Sequence, residues 1–281
     1  MAGKLKIISK VTLFCILFTG LFVILSFSKT SLPPSFERLS HGLIGTIAAF
    51  LVTLSFLKYD RKRFSDIQLY FEKKTIGKFL VGIVIGVVLM GLTATGVMYF
   101  SHVSIEPNHD ANIFRFFIMT SPLILLAFCE ELGFRAYPLQ ILKNKVGIRL
   151  SIVITSVLFA LYHIVNGWTI SSSFFGPGVW GLLFGLAAVY SKGIALPTGI
   201  HYAINLTTSA FSGEDNSIAL WTVKQTNTST SIYKGIDLTI VLPSLAILMV
   251  AVISIELYMR RKTTANMRFG VMAAEETQHQ H

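Results

Sequence analysis

Runs of apolar residues of roughly the length a helix needs to cross a hydrocarbon layer about 30 Å thick recur along this chain. They fall at about 11–27, 41–57, 77–100, 114–137, 149–165, 178–191, 194–211 and 237–258. Each run is continuously apolar rather than alternating. Only helices and closed barrels satisfy their backbone groups in lipid, so helices are the reading. Composition agrees: 53% of residues are hydrophobic, 14% are charged and the mean hydropathy is +0.65, whereas soluble chains carry about a quarter charged residues. The expected fold class is therefore all-α, a polytopic transmembrane bundle of about eight spans. The sixth and seventh runs are short and separated only by Ser191-Lys192-Gly193, which suits a tight hairpin or a partly re-entrant pair.

The formal net charge of +10 raises nucleic acid as a partner, but its distribution argues against that. Lys and Arg sit in short hydrophilic segments between apolar runs, as topology-setting charges do. Lys4, Lys6 and Lys10 precede the first run. Segment 58–78 carries seven basic residues, from Lys58 to Lys78, and 135–149 carries Arg135, Lys143, Lys145 and Arg149. Lys192 follows the sixth run and Arg260, Arg261 and Lys262 follow the eighth, while 101–112 and 166–177 contain no Lys or Arg. Eight spans with both termini cytoplasmic satisfy the positive-inside rule, and the plasma membrane of a prokaryote is the expected location. The first run is too long for a signal-peptide core and lacks a small-x-small cleavage site, so an uncleaved span is expected.

Five regions follow: 1–113 with spans one to three and a basic loop, 114–211 with spans four to seven, a polar external loop at 212–236, a last span at 237–262, and a solvated, disordered tail at 263–281. Cys15 and Cys129 each lie inside an apolar run, so no disulfide framework is expected. Asn227-Thr228-Ser229 matches a glycosylation acceptor, a pattern common by chance. His41, His102 and His109 fall at span ends or in loops and receive no role, nor do His279 and His281. Gly82-x-x-x-Gly86 and Gly181-x-x-x-Gly185 read as internal helix packing rather than a dimer seam.

Ionisable residues inside spans cost about 2.5–3.5 kcal/mol each on insertion scales and point to function by default. Here they concentrate in the middle of the chain. Glu130, Glu131 and Arg135 close the fourth run, His163 follows Phe159 in the fifth, and His201 and Asn205 share the seventh. Residues four apart share a helix face, so Arg135 can neutralise Glu131. Glu130 points about 100° away and is free to face the bundle interior. A carboxylate, two imidazoles and an amide converging from three helices can activate water and stabilise an oxyanion. Taken singly, each has a plainer explanation: an interfacial ion pair, a packing histidine, polar glue between helices. Together they make a site the better account. On these span limits, however, His163 lies near the outer end of its helix and Glu130 toward the inner end. A site at one depth requires the fourth helix to run past Arg135 toward Lys143, or the fifth to begin later.

Glu130-Glu131-x-x-x-Arg135, Phe159-x-x-x-His163 and His201-x-x-x-Asn205, in that order on successive spans, resemble the CPBP (Abi) family of CAAX-protease and bacteriocin-processing intramembrane proteins, which includes the Rce1-type CAAX prenyl protease. The resemblance covers about 114–211. It implies an eight-helix endopeptidase that opens to the cytoplasmic side and cuts a peptide bond of a membrane-associated substrate, CAAX-like or bacteriocin-type. By that analogy Glu130 is the general base, His163 helps hold the water, and His201 and Asn205 stabilise the oxyanion. Glu131, Arg135 and Phe159 give structural support. No cofactor is favoured. A zinc site of Glu130, His163 and His201 is the alternative, although no His-Glu-x-x-His pattern is present. The expected partners are a peptide or membrane-protein substrate and the bilayer. Two competing readings are a non-proteolytic membrane partner, such as a bacteriocin immunity factor or a sensor-kinase regulator, and a transporter. The polar residues cluster in one half with no inverted repeat, which disfavours the transporter.

Overall fold

The computed structural model describes residues 2–33, 36–101, 103–212, 218–225, 232–233 and 236–278. Asn227-Thr228-Ser229, His102, His279 and His281 lie outside the described residues. The chain crosses the bundle on α1 (Ala2–Ser26), α2 (Glu37–Asp60) and α3 (Thr75–Ser101). It then crosses on a broken helix made of α4 (Ile113–Thr120), α5 (Leu123–Glu131) and α6 (Tyr137–Val146), and returns on α7 (Ile148–Val165). Next come α8 (Ile170–Ser173) leading into α9 (Val179–Ser191), then α10 (Ala195–Ala210) and α11 (Leu238–Gln278). Seven of these crossings are long and apolar enough to span a membrane. The exception is α10, whose 16 residues give about 24 Å of rise and which carries the polar residues of the site. The short sixth and seventh runs form a helical pair, turned by Lys192 in the left-handed region and Gly193.

Small residues set the helix spacing. A Cβ on Gly82 would meet the Leu196 carbonyl oxygen at 2.3 Å, one on Gly86 would meet Ala203 at 2.7 Å, and one on Gly199 would meet the Phe79 carbonyl oxygen at 2.1 Å. The α3 glycines thus pack internally on α10, as the sequence suggested, and backbone meets backbone there. Along α2, Gly42 lies against Leu125 and Gly45 against the Cys129 sulfur, which seats α5 beside the first two helices. Buried Val11, Phe14, Phe18 and Phe22 recur at helical spacing down one side of α1. They meet Tyr137, Phe134 and Tyr162 in an aromatic core.

Cross-helix ties collect the basic segments on one face. Lys10 pairs with Asp60, Lys78 with Glu72 and the Ser191 carbonyl, Lys143 with Gln68, and Arg149 with Glu256. The opposite face carries the 27–37 and 166–178 connections. It also carries a small sheet of order β1-β3-β2, formed by Val103–Pro107, Phe211–Ser212 and Trp221–Gln225. Part of the segment read as a plain external loop is therefore strand, and Ile232–Tyr233 and Ile236–Asp237 pair as β4 and β5. At the C-terminus, α11 continues to Gln278, where the sequence reading expected a disordered tail.

Candidate active site

The fourth crossing resolves the question of depth. It runs from Ile113 to Val146, 34 residues with a turn at Ser121–Pro122, so Glu130 sits mid-span rather than at an end. The apolar run stops near Arg135, but the helix does not, because α6 buries Tyr137, Leu139, Ile141 and Leu142 while presenting Lys143 and Lys145 at its end. A π-helical turn at Leu132–Ala136 joins α5 to α6 directly after the glutamates. A second, Phe174–Gly178, accommodates Pro177 at the head of α9. Such turns shift side-chain register inside a helix and are frequent at functional sites.

Glu130, Glu131, Arg135 and His201 form one buried cluster, all under a tenth exposed. His201 donates from Nδ1 to Glu131 Oε1 at 2.9 Å, and its Nε2 stands 3.4 Å from Glu130 Oε2. Arg135 Nη1 approaches the same Glu131 oxygen at 3.4 Å, and Nη2 approaches the Gly181 carbonyl at 3.5 Å. Its guanidinium lies 4.2 Å from the centre of the Phe159 ring and 5.3 Å from that of Phe184, a cation–π seat for a desolvated charge. A Cβ on Gly181 would stand 3.0 Å from Arg135 Nη2, so the absent side chain makes room for the guanidinium. Adjacent glutamates do leave the helix about 100° apart, yet both reach the two nitrogens of one imidazole. Glu131 therefore holds His201 as well as Arg135.

The Phe-x-x-x-His spacing has a structural reason. His163 Nδ1 donates to the Phe159 carbonyl at 2.9 Å, which leaves Nε2 as the lone-pair nitrogen of a neutral ring. The rings of Phe159, Tyr162 and Trp168 meet His163 edge-on. Phe184 stacks on His201 with centroids 4.6 Å apart. Glu130, His163, His201 and Asn205 all line one cavity of about 650 Å³, together with Phe159, Tyr162, Trp168, Trp180 and Phe184. The structure thus brings together the four residues singled out as catalytic. Glu131, Arg135 and Phe159 stand behind or beside them as supports.

Several residues at this cavity were not picked out from the sequence. Lys29 donates to His41 Nδ1 at 2.9 Å, and with Glu37 both line the cavity. His41 was passed over because a histidine at a span end costs little. Trp180 and Phe184 are invisible among so many apolar residues. A polar tip one turn from the start of α2, opposite Lys29 on the preceding connection, was the available clue for the first pair.

The zinc alternative would use Glu130, His163 and His201. Among the described residues no three His, Cys, Asp or Glu side chains gather as a metal-binding group, while His201, with Nδ1 on Glu131, keeps Nε2 as the nitrogen that a metal would take. No step below is routed through a metal.

These features define a class: a polytopic helical membrane protein with a buried carboxylate–imidazole site open to a cavity. Residues 112–207 match the family model for Rce1-like proteins, described as type II CAAX prenyl endopeptidase Rce1-like. That match agrees with the resemblance read from the motifs and spans nearly the same stretch. No curated protein matches the chain.

Proposed function

We propose that the protein is an intramembrane endopeptidase that hydrolyses a peptide bond of a membrane-associated substrate, CAAX-like or bacteriocin-type, at a prokaryotic plasma membrane. The observation that carries the reading is the convergence of Glu130, His163, His201 and Asn205 on one cavity, in a segment that matches an endopeptidase family.

The chemistry follows from which atoms remain available. Glu130 accepts one proton of a water, and His163 Nε2, freed by the bond from Nδ1 to Phe159, accepts the other. Both partners are acceptors, so the water's lone pair turns outward toward the substrate carbonyl. As the C–O bond forms, Glu130 takes the proton, and the developing oxyanion is met by the Asn205 amide N–H, beside His201. Glu130 then passes its proton to the nitrogen as the C–N bond breaks, leaving a carboxylic acid and an amine, which become carboxylate and ammonium by proton exchange with solvent. Glu131 and Arg135 keep His201 oriented throughout. General-base assistance of this kind contributes about 10²–10⁴-fold.

The test compares membrane-protein termini in cells expressing wild type or Glu130→Gln at matched levels. Termini that depend on Glu130 are the expected result and would name the substrate. Identical termini, with the variant still rescuing a deletion phenotype, would replace this reading with that of a non-proteolytic membrane partner.

A further inference from the structure

The two faces of the bundle each carry a cavity, and only one reaches the site. On the basic face, a cavity of about 490 Å³ lies among Tyr70, Phe71, Phe79, Phe128 and the rim cations Lys78 and Lys192. It touches none of Glu130, His163, His201 or Asn205. Between that face and Glu130 lies a sealed layer: Glu131, Leu132, Phe134, Arg135 and Tyr137 are at most 1% exposed. Beneath it, Asp60 is tied to both Tyr137 and Lys10.

The site cavity runs the other way. Its walls lead from Glu130 past His163 to Asn166, Trp168 and Pro177 on the 166–178 connection, and to Thr208 and Ser209 at the end of α10. Lys29, Glu37 and His41 complete that rim. Every one of these positions belongs to the face opposite the basic loops. Trp168 is half exposed there.

By the positive-inside rule, loops dense in Lys and Arg stay cytoplasmic. We infer that the active site opens to the extracytoplasmic face, and that its substrate is a peptide segment presented there by a membrane-held chain. This inference rests on the endopeptidase reading and departs from the cytoplasmic opening that the family resemblance implied. A prenylated tail that stays in the cytoplasm would meet the cavity of about 490 Å³, which reaches Ile124, Leu125 and Phe128 of α5 but is lined by none of the four site residues. A precursor whose cleavable segment lies outside or in the outer leaflet would meet the Lys29–His41 rim and run inward along Trp168 and Trp180 toward the carboxylate.

The test uses the full-length protein in intact cells. Cys15 and Cys129 are both buried, so the native chain gives a low background with a membrane-impermeant maleimide. Single substitutions Thr208→Cys and Trp168→Cys report the rim of the site cavity, and Lys74→Cys reports the basic face. The expected result is labelling of Thr208→Cys and Trp168→Cys before permeabilisation, and of Lys74→Cys only after it. The use of two rim positions guards against one variant failing to fold. The reverse order, with Lys74→Cys labelled in intact cells and the rim positions only after permeabilisation, would overturn the inference. A second readout is the location of Glu130-dependent termini. Termini in extracytoplasmic segments support it, and termini in cytoplasmic segments contradict it. Failure of the proteolytic reading looks different: no termini would depend on Glu130, while the labelling order would still report which way the cavity faces.

Discussion

Two charged clusters are attached to the same broken helix, and they differ in what they leave undone. At Tyr137, on the basic side, Asp60 receives Lys10 on one oxygen and the Tyr137 hydroxyl on the other, the latter at 2.7 Å. Lys10 also lies 5.1 Å from the Tyr59 ring centre. Both Asp60 oxygens have a donor, and the cluster ties α1, α2 and α6 together. Six residues earlier, less than two turns, Glu131 is fully buried and receives Arg135 and His201 on a single oxygen, its other oxygen having no partner among the described residues. Among the described residues Glu130 has only the 3.4 Å approach of His201, and it faces a cavity. Charge inside a bundle therefore does not by itself mark a site. The mark is a carboxylate with hydrogen-bonding capacity left over and a space in front of it.

That contrast orders the three carboxylates. Glu131→Gln should do the most structural damage, because it leaves the guanidinium of Arg135 buried without its counter-charge. Breaking a buried pair by removing one partner costs about 3–5 kcal/mol. Asp60→Asn removes a charge that is 12% exposed, from a partner that is 21% exposed, so partial solvation should hold the loss to about 1–2 kcal/mol. Denaturant or thermal unfolding of the purified protein would rank them, and equal losses would break the comparison.

A subtler change sharpens it. Gly181→Ala should press on Arg135 Nη2 and Ser156 without removing any charge. Misplacement of a supporting group by a fraction of an ångström should lower turnover about tenfold, with folding largely kept. Turnover at the wild-type level would mean that the guanidinium has more room than its neighbours suggest. At the small end, a strong chelator should leave turnover unchanged within about twofold. A loss restored by zinc would instead revive the two-histidine, one-carboxylate site.

Much of this was legible in the sequence because the bilayer makes polar placements expensive. Glu130, Glu131, His163 and His201 stood out against apolar surroundings, and the loop charges anticipated the basic face that the structure assembles. The features that escaped have physical reasons too. Helix α6 is amphipathic, with Gln140, Lys143 and Lys145 among its apolar residues, so a search for apolar runs ended the fourth span too early and put Glu130 at the wrong depth. The π-helical turn at Leu132–Ala136 was overlooked although Pro138 follows it, a residue that cannot donate to the Phe134 carbonyl and so disrupts the regular helical ladder there. The three-stranded sheet depends on Val103–Pro107 pairing with Trp221–Gln225 across more than a hundred residues, beyond the reach of local pattern. The Lys29–His41 rim combines two residues that are unremarkable singly. The separation of Glu130 from Glu131 by helical angle was correct in direction but incomplete, since long side chains let both converge on His201.

The central claim is that Glu130 performs chemistry while Asp60 performs structure. It is tested most directly by turnover of one purified substrate, taken from the Glu130-dependent termini, by wild type, Asp60→Asn and Glu130→Gln, each normalised to folded protein. The account predicts that Glu130→Gln keeps its unfolding midpoint and loses about a thousandfold in rate, while Asp60→Asn shifts the midpoint and keeps the rate. A Glu130→Gln protein that turns over at the wild-type rate would contradict it.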